Sequence, residues 1–251
     1  MMRTFRLSSM EQYIIRRDTV TLTELMDHFN VSMNTVRRDL DALERRGFVA
    51  KVYGGAVACK REELVPSLVR SELNIDAKQK IGELASTIME DNTTIYLDSG
   101  STTPKVLPHL ENRKGISLLT TSLPAMVAAS NLKGISLISF GGVFNQSTSS
   151  FVGQSTLNII DTLTIHTAFM AATGVSIENG MSNTTYFEAE IKRAICNNSR
   201  HIVLLADHTK FGRDALISYC SLEKISVVVT DREPNAEFMQ FFRSRGIKVL
   251  F

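Results

Sequence analysis

From Asp76 onward the chain alternates short apolar runs with longer stretches of helical period, and this alternation limits the fold more than any other feature. "TIYLD", "ISLLT", "ISLISF", "TAFMAAT", "HIVLLA" and "ISVVVT" are continuous apolar runs of strand length. Between them lie helical patterns such as "KQKIGELASTIME", "LPAMVAAS", "GQSTLNIID" and "YFEAEIKRAICNN", and "AEFMQFFRSR" and "IKVLF" close the chain. Strands apolar on both faces and separated by helices predict a mostly parallel sheet with helices packed on it. "TPKVLPHL" reads as a short, irregular helical turn, because its second proline interrupts any regular helix.

The first sixty residues have a different pattern. Leu7, Met10, Tyr13 and Ile14 give a first helix an apolar face ending near Arg17-Asp18. "TLTELMDHF" opens a second helix with a capping box from Thr21 to Glu24, followed by Leu25 and Phe29 on one side. After the short turn "NVS", the stretch "VSMNTVRRDLDALERRG" predicts a third helix. Ser32 is a suitable N-cap, Val36, Leu40 and Leu43 form one buried stripe, and Gly47 suits the C-terminal stop. "FVAKVYGGAVA" then alternates around Gly54-Gly55, as two short strands joined by a tight turn do. The charged segment with "KREE" and Pro66 reads as a connector. The expected domains are therefore residues 1–58 and 76–251, joined by a linker over 59–75.

Charge is distributed unevenly between these parts. The chain of 251 residues carries a net charge of +2, but residues 1–61 hold 11 Lys/Arg against 7 Asp/Glu while the rest hold 17 against 19. Any polyanion contact is thus expected in the head. The three cysteines, Cys59, Cys196 and Cys220, show no metal-ligand spacing and no disulfide framework. No apolar run reaches the length of a membrane span, and the start lacks the apolar core of a signal peptide, so a cytoplasmic protein is expected. The histidines are scattered, and neither metal nor cofactor is implied.

In the third helix, Ser32, Asn34, Thr35, Arg37 and Arg38 form a short polar, cationic face on the first turns. Such a face is either an ordinary solvated surface or the tip of a recognition helix. The short turn to the preceding helix suits a helix-turn-helix, whose second helix enters the major groove by its N-terminal residues. Lys51 and Tyr53 on the hairpin are placed to reach a neighbouring phosphate or minor groove. Asp39 would be repelled by DNA and is expected instead to orient an arginine. Arg45 and Arg46 suit a helix C-terminus electrostatically.

In the body, "YLDSGSTTPK" runs from a strand ending at Asp98 into Ser99, Gly100, Ser101, Thr102 and Thr103. Free backbone N–H groups and several hydroxyls there suit an anionic oxygen cluster, and equally suit a turn that caps a helix. Strand ends of this kind are where open α/β sheets bind ligands. "LLADHTKFGRDA" places Lys210 after another strand, either to pair with a phosphate or to be solvated. Gly141-Gly142, after "ISLISF", suits close approach of backbone to a ligand.

The head sequence "VSMNTVRRDLDALERRGFVAKVYGGAVA" resembles the winged helix-turn-helix signature of DeoR-type bacterial transcriptional regulators. "LDSGSTT", "SLP", "GGVFNQSTSSFVG", "FMAATGV", "EAEIKRA" and "ADHTKFG" are similar to the sensor domain of the same family. The resemblance implies an α/β chain: a small N-terminal winged helix-turn-helix, then a Rossmann-like, mostly parallel sensor domain resembling ribose-5-phosphate isomerase. It further implies double-stranded operator DNA as one partner, bound through Ser32, Asn34, Thr35, Arg37, Arg38, Lys51 and Tyr53. A phosphorylated sugar is implied as effector, with Asp98, Gly100, Ser101 and Thr102 as its cradle and Lys210 as charge partner. Glu188 or Glu190 is a further polar contributor. The expected function is a homo-oligomeric regulator, a repressor of carbohydrate metabolism genes. The alternative is a sugar-phosphate isomerase, which needs a carboxylate placed to move a proton between adjacent carbons. "AATGVSIENG" offers no acid before Glu178, and a pocket without that acid reads as a sensor.

Overall fold

In the computed structural model, residues 3–17, 19–45, 49–52, 54–58 and 67–251 are described. Gly47, Arg46, Tyr53, Cys59, the "KREE" run and Pro66 lie outside them. The chain divides into two compact units, Met1–Leu64 and Val65–Phe251.

The head comprises α1 (Arg3–Arg17), β1 (Thr19–Thr21), α2 (Leu22–Phe29), α3 (Met33–Arg45), β2 (Val49–Val52) and β3 (Gly55–Ala58). The apolar faces read from sequence are the core: Leu7, Met10, Ile14, Leu25, Val36, Leu40 and Leu43 are buried. At the start of α2 the capping box forms, with the Glu24 N–H donating to Thr21 Oγ1 at 3.1 Å. α2 ends on Asn30 in the left-handed conformation, which turns the chain into α3 within three residues. The expected hairpin pairs β2 with β3, and β1 adds on the other side of β3. β1 has only three residues, too few for alternation to announce it.

The body contains α4 (Ser67–Glu72), α5 (Ile75–Ser86), β4 (Thr94–Leu97), β5 (Ile116–Thr120), α6 (Leu123–Ala129), β6 (Ile135–Ser139), β7 (Val143–Asn145) and β8 (Ser150–Val152). It continues through α7 (Gln154–Ile160), β9 (Ile165–Met170), β10 (Gly174–Ser176), β11 (Gly180–Asn183), α8 (Tyr186–Asn197), β12 (Ser199–Leu205), β13 (Ile217–Cys220), β14 (Val227–Val229), α9 (Ala236–Ser244) and β15 (Lys248–Leu250). "TPKVLPHL" is a 3-10 helix, Thr103–Leu110, with Pro108 inside it. α4 falls within the stretch expected to be a linker, and the body unit begins at Val65, so the boundary lies earlier than residue 76.

Seven strands form one parallel sheet in the order β15-β14-β12-β9-β4-β5-β6. Alternation along the strands fills both faces. Ile95, Leu97, Phe169, Val203 and Leu205 pack with Ile81 and Ala85 of α5 and Val106 of the 3-10 helix. Tyr96 points to the opposite face, where its ring stacks 6.4 Å from Phe140. From β4 the chain moves outward to β5 and β6, then returns to place β9 on the other side of β4. The strand order therefore reverses between β4 and β9, and a crevice at the carboxyl ends of these two strands is the expected ligand position in such a sheet. Two small antiparallel sheets, β7-β8 and β10-β11-β13, lie outside the main one. They replace segments that sequence pattern leaves as loops.

Candidate nucleic-acid interface and effector site

α3 divides sharply by face. Val36, Leu40 and Leu43 are buried, while Ser32, Asn34, Arg37 and Arg38 are exposed and Thr35 is half-buried. The Thr35 N–H donates to Ser32 Oγ at 3.3 Å, and the two hydroxyls meet at 3.0 Å, so the cap forms as expected. Asp39 is buried and receives Arg6 Nε at 2.6 Å from α1. It thus orients an arginine, one from another helix. Lys51 differs from expectation: its ammonium lies 2.6 Å from Asp41 Oδ1 and 3.0 Å from Glu44 Oε2 of α3, and its N–H donates to Glu44 Oε1 at 2.9 Å. The hydrogen bond to Asp41 leads in raising its pKa above the ordinary lysine value. Lys51 pins β2 to α3, so any phosphate must compete with two carboxylates for it.

In the body, the loop after β4 meets the loop after β9 at the strand reversal. Asp98, almost fully buried, accepts the Ala171 N–H on Oδ2 at 3.0 Å. The same oxygen forms an ion pair with the buried Lys192 of α8, whose ammonium also donates to Ala171 O at 2.8 Å. Asp98 Oδ1 has no hydrogen-bond partner among the described residues. Ser99 Oγ donates to Glu188 Oε1 at 2.9 Å, so its hydroxyl is committed to the floor of the crevice. Gly100 is required by packing: a Cβ there would stand 2.2 Å from the Ala171 Cβ. Thr102 is buried and Ser101 half-buried, and Thr103 Oγ1 ties the turn by donating to Asp98 O at 2.6 Å.

Of the two glutamates expected as polar contributors, Glu188 lies at the centre of this site, with Lys192, Asn183, Thr185 and Ser150, which the sequence does not announce, around it. Glu188 accepts from Ser99 and Ser150 on Oε1, and from Asn183 and Thr185 on Oε2, each of the last two at 3.0 Å. Burial alone would raise its carboxyl. Lys192, the bonds from Asn183 and Ser99, and the Arg70 charge outweigh that and hold it below the ordinary glutamate value. Ser150 sits on β8, whose preceding loop folds onto the end of β5: Leu123 N donates to Ser149 O and Phe151 N to Thr121 O, both at 2.9 Å.

Lys210 lies at the carboxyl end of β12, on the far side of β9 from Asp98. Beside it Asp207 accepts the Thr209 N–H on Oδ1 at 3.0 Å, while its buried Oδ2 has no partner among the described residues. Lys78 of α5 is buried, and its ammonium donates to Arg70 O. Burial brings its pKa down to about 8; Asp207 opposes this, and the charges of Lys210, Arg70 and Lys105 add to it. α4, α5, α8, the 3-10 helix Thr103–Leu110 and the ends of β4 and β12 thus bring five cations, Arg70, Lys78, Lys105, Lys192 and Lys210, against Asp98, Glu188 and Asp207. Two positive charges remain uncompensated within this set.

Gly141 and Gly142 stand apart, at the end of β6, two strands from β4. A Cβ on Gly142 would lie 2.5 Å from Thr156 Oγ1 and 2.7 Å from Val152 O, and the Thr156 hydroxyl donates to Gly141 O at 2.6 Å. The close approach that Gly142 permits is to β8 and α7, whereas a Cβ on Gly141 would meet nothing within 4 Å. Among the described residues no group of His, Cys, Asp and Glu side chains is placed to hold a metal ion.

A helix-turn-helix with a strand hairpin, followed by a separate parallel α/β domain, is the architecture of a DNA-binding head on a body domain. Residues 6–62 match the DeoR-like helix-turn-helix domain and residues 73–232 the DeoR C-terminal sensor domain. The chain is 39% identical over 248 residues to the HTH-type transcriptional regulator IolR of Bacillus subtilis, covering 99% of both chains. It is 27% identical over 250 residues to the glycerol-3-phosphate regulon repressor of Escherichia coli, again covering 99% of both. Among solved structures, ribose 5-phosphate isomerase A of Methanocaldococcus jannaschii matches 55% of each chain at 21% identity and a TM-score of 0.41. The chain belongs to the DeoR family. It is a transcriptional regulator.

Proposed function

We propose that this protein is a cytoplasmic, homo-oligomeric repressor whose hold on operator DNA is set by a phosphorylated sugar in the crevice. The observation that carries the effector reading is the unbalanced cation cluster at the strand reversal. Lys210 and Lys78 would meet the phosphate, together with the backbone and hydroxyls of Gly100, Ser101 and Thr102. The free oxygens Asp98 Oδ1 and Asp207 Oδ2 are acceptors for sugar hydroxyls. Relatives named as a glycerol-3-phosphate regulon repressor and as regulators support this class of ligand and of action. Among the described residues no helix is long and apolar enough to cross a membrane. On the DNA side, Asn34, Thr35, Arg37 and Arg38 would enter the major groove, with Ser32 at the phosphate backbone. A two-fold operator read by paired recognition helices gives the reason for a homo-oligomer.

The test is calorimetric titration with phosphorylated sugars from pH 7 to 9.5, where the phosphate stays dianionic, its second pKa being about 6. Lys78 titrates at about 8 without ligand, and only its protonated form attracts the anion. Affinity is therefore expected to be full below that value and to weaken as pH rises through it, by up to about tenfold per unit. A sugar phosphate bound with pH-independent affinity would remove Lys78 from the site. No binding of any phosphorylated sugar would reject the effector reading.

A further inference from the structure

Arg70 lies in the last turn of α4, the first described element after the head's last strand. Its Nε is buried and has no hydrogen-bond partner among the described residues. The guanidinium nonetheless acts electrostatically on both Lys78 and Glu188, two of the charged groups at the strand reversal. α4 itself is tied to the body at two points. The Ser67 N–H donates to Ser147 O at 3.0 Å, on the loop between β7 and β8, and Lys78 donates to Arg70 O. That loop leads directly into Ser150, which donates to Glu188. Both attachments of α4 therefore run to groups that surround the crevice.

Resting on the effector reading above, we propose that Arg70 is the residue through which the bound effector acts on the segment leading to the head. An oxyanion in the crevice accepts the free Nε–H of Arg70, in a charge-assisted bond of the kind arginine makes to phosphate. The bond fixes α4 on the body. α4 is thereby held on the body in the liganded state and loosened in the free state. A ligand shifts such an equilibrium only by its different affinity for the two states, and Arg70 supplies that difference.

The test uses the full chain, with inorganic phosphate as probe, following binding by calorimetry and amide hydrogen exchange by mass spectrometry. Wild type is compared with Arg70→Met and Lys210→Met. In wild type, phosphate is expected to slow exchange across residues 67–74. Arg70→Met should weaken phosphate binding by about 10- to 100-fold and leave residues 67–74 unprotected even at saturation. Lys210→Met should also weaken binding, yet protection of α4 should return once phosphate saturates it. Arg70→Lys, which keeps the charge and most of the length, should behave like Arg70→Met in exchange if the Nε–H is the contact. Equal protection of α4 in wild type and Arg70→Met would overturn the inference and leave the effector site standing. Phosphate that binds wild type without slowing exchange in α4 would overturn it in the same way. Absence of phosphate binding to wild type would overturn both readings together.

Discussion

Alanine at both Arg37 and Arg38 is expected to weaken operator binding by about two to four powers of ten while leaving the melting temperature unchanged. Each side chain is exposed on the first turns of α3, and the stripe that anchors the helix is Val36, Leu40 and Leu43. A base-edge arginine contributes about 1–3 kcal/mol of discrimination. A phosphate contact contributes mainly to the salt dependence, about 0.9 in the slope of log affinity against log salt. Anisotropy on the operator and on a scrambled duplex, at several salt concentrations, separates the two roles. A base-reading arginine changes the ratio between duplexes; a phosphate-binding one lowers both affinities and flattens the slope. Undiminished operator binding would show that α3 is not the recognition helix. Lys51→Met provides a contrast. Because Lys51 is already shared by Asp41 and Glu44, its loss should leave the salt slope nearly intact.

Lys192→Met is expected to destabilise the body by about 3–5 kcal/mol, the usual cost of leaving one member of a buried ion pair alone. Asp98 would keep only the Ala171 N–H in place of that bond and its charged partner. Adding Asp98→Asn should recover much of the loss, since a neutral amide oxygen can still accept from Ala171. Chemical denaturation of the single and double variants measures the coupling directly. Additive losses would mean that the pair contributes nothing as a pair. The geometry also warns against reading Asp98→Ala as a clean probe of effector binding, because the same carboxylate holds Lys192 and the loop after β9.

Much of this arrangement is legible in the order of the amino acids. Apolar periodicity marks the three helices of the head and the strands of the parallel sheet, because burial there follows local spacing. The "DSGSTT" turn stands out because a strand end running into glycine and hydroxyls suits either an anion cradle or a helix cap. The floor of the crevice is harder to read. Glu188 and Lys192, four apart on a helix, look like an exposed ion pair. Their partners, Ser99, Asn183, Asp98 and Ala171, come from distant segments. A signal is nevertheless present: Glu188, Ile191, Lys192 and Ile195 recur at i, i+3, i+4 and i+7, so two charges lie on an apolar stripe. Lys78 does the same with Ile81, Gly82 and Ala85. A charge on a buried stripe points to a partner or a ligand elsewhere in the fold. Arg70 gives no such signal, since α4 is only six residues long and follows a charged segment. The antiparallel β10-β11-β13 sheet escapes the pattern because its strands are three or four residues long. Asn179-Gly180 marks its hairpin.

The most direct measurement follows the anisotropy of duplex DNA from the flank of this protein's gene, titrated with wild type and Lys210→Met, with and without a panel of phosphorylated sugars. Wild type should bind tightly and with strong salt dependence, and one sugar phosphate should selectively weaken that binding. Lys210→Met should bind the DNA as tightly and require a much higher concentration of the same sugar. Operator affinity that no phosphorylated sugar alters, or an identical response from Lys210→Met, would contradict a sensor built around this crevice.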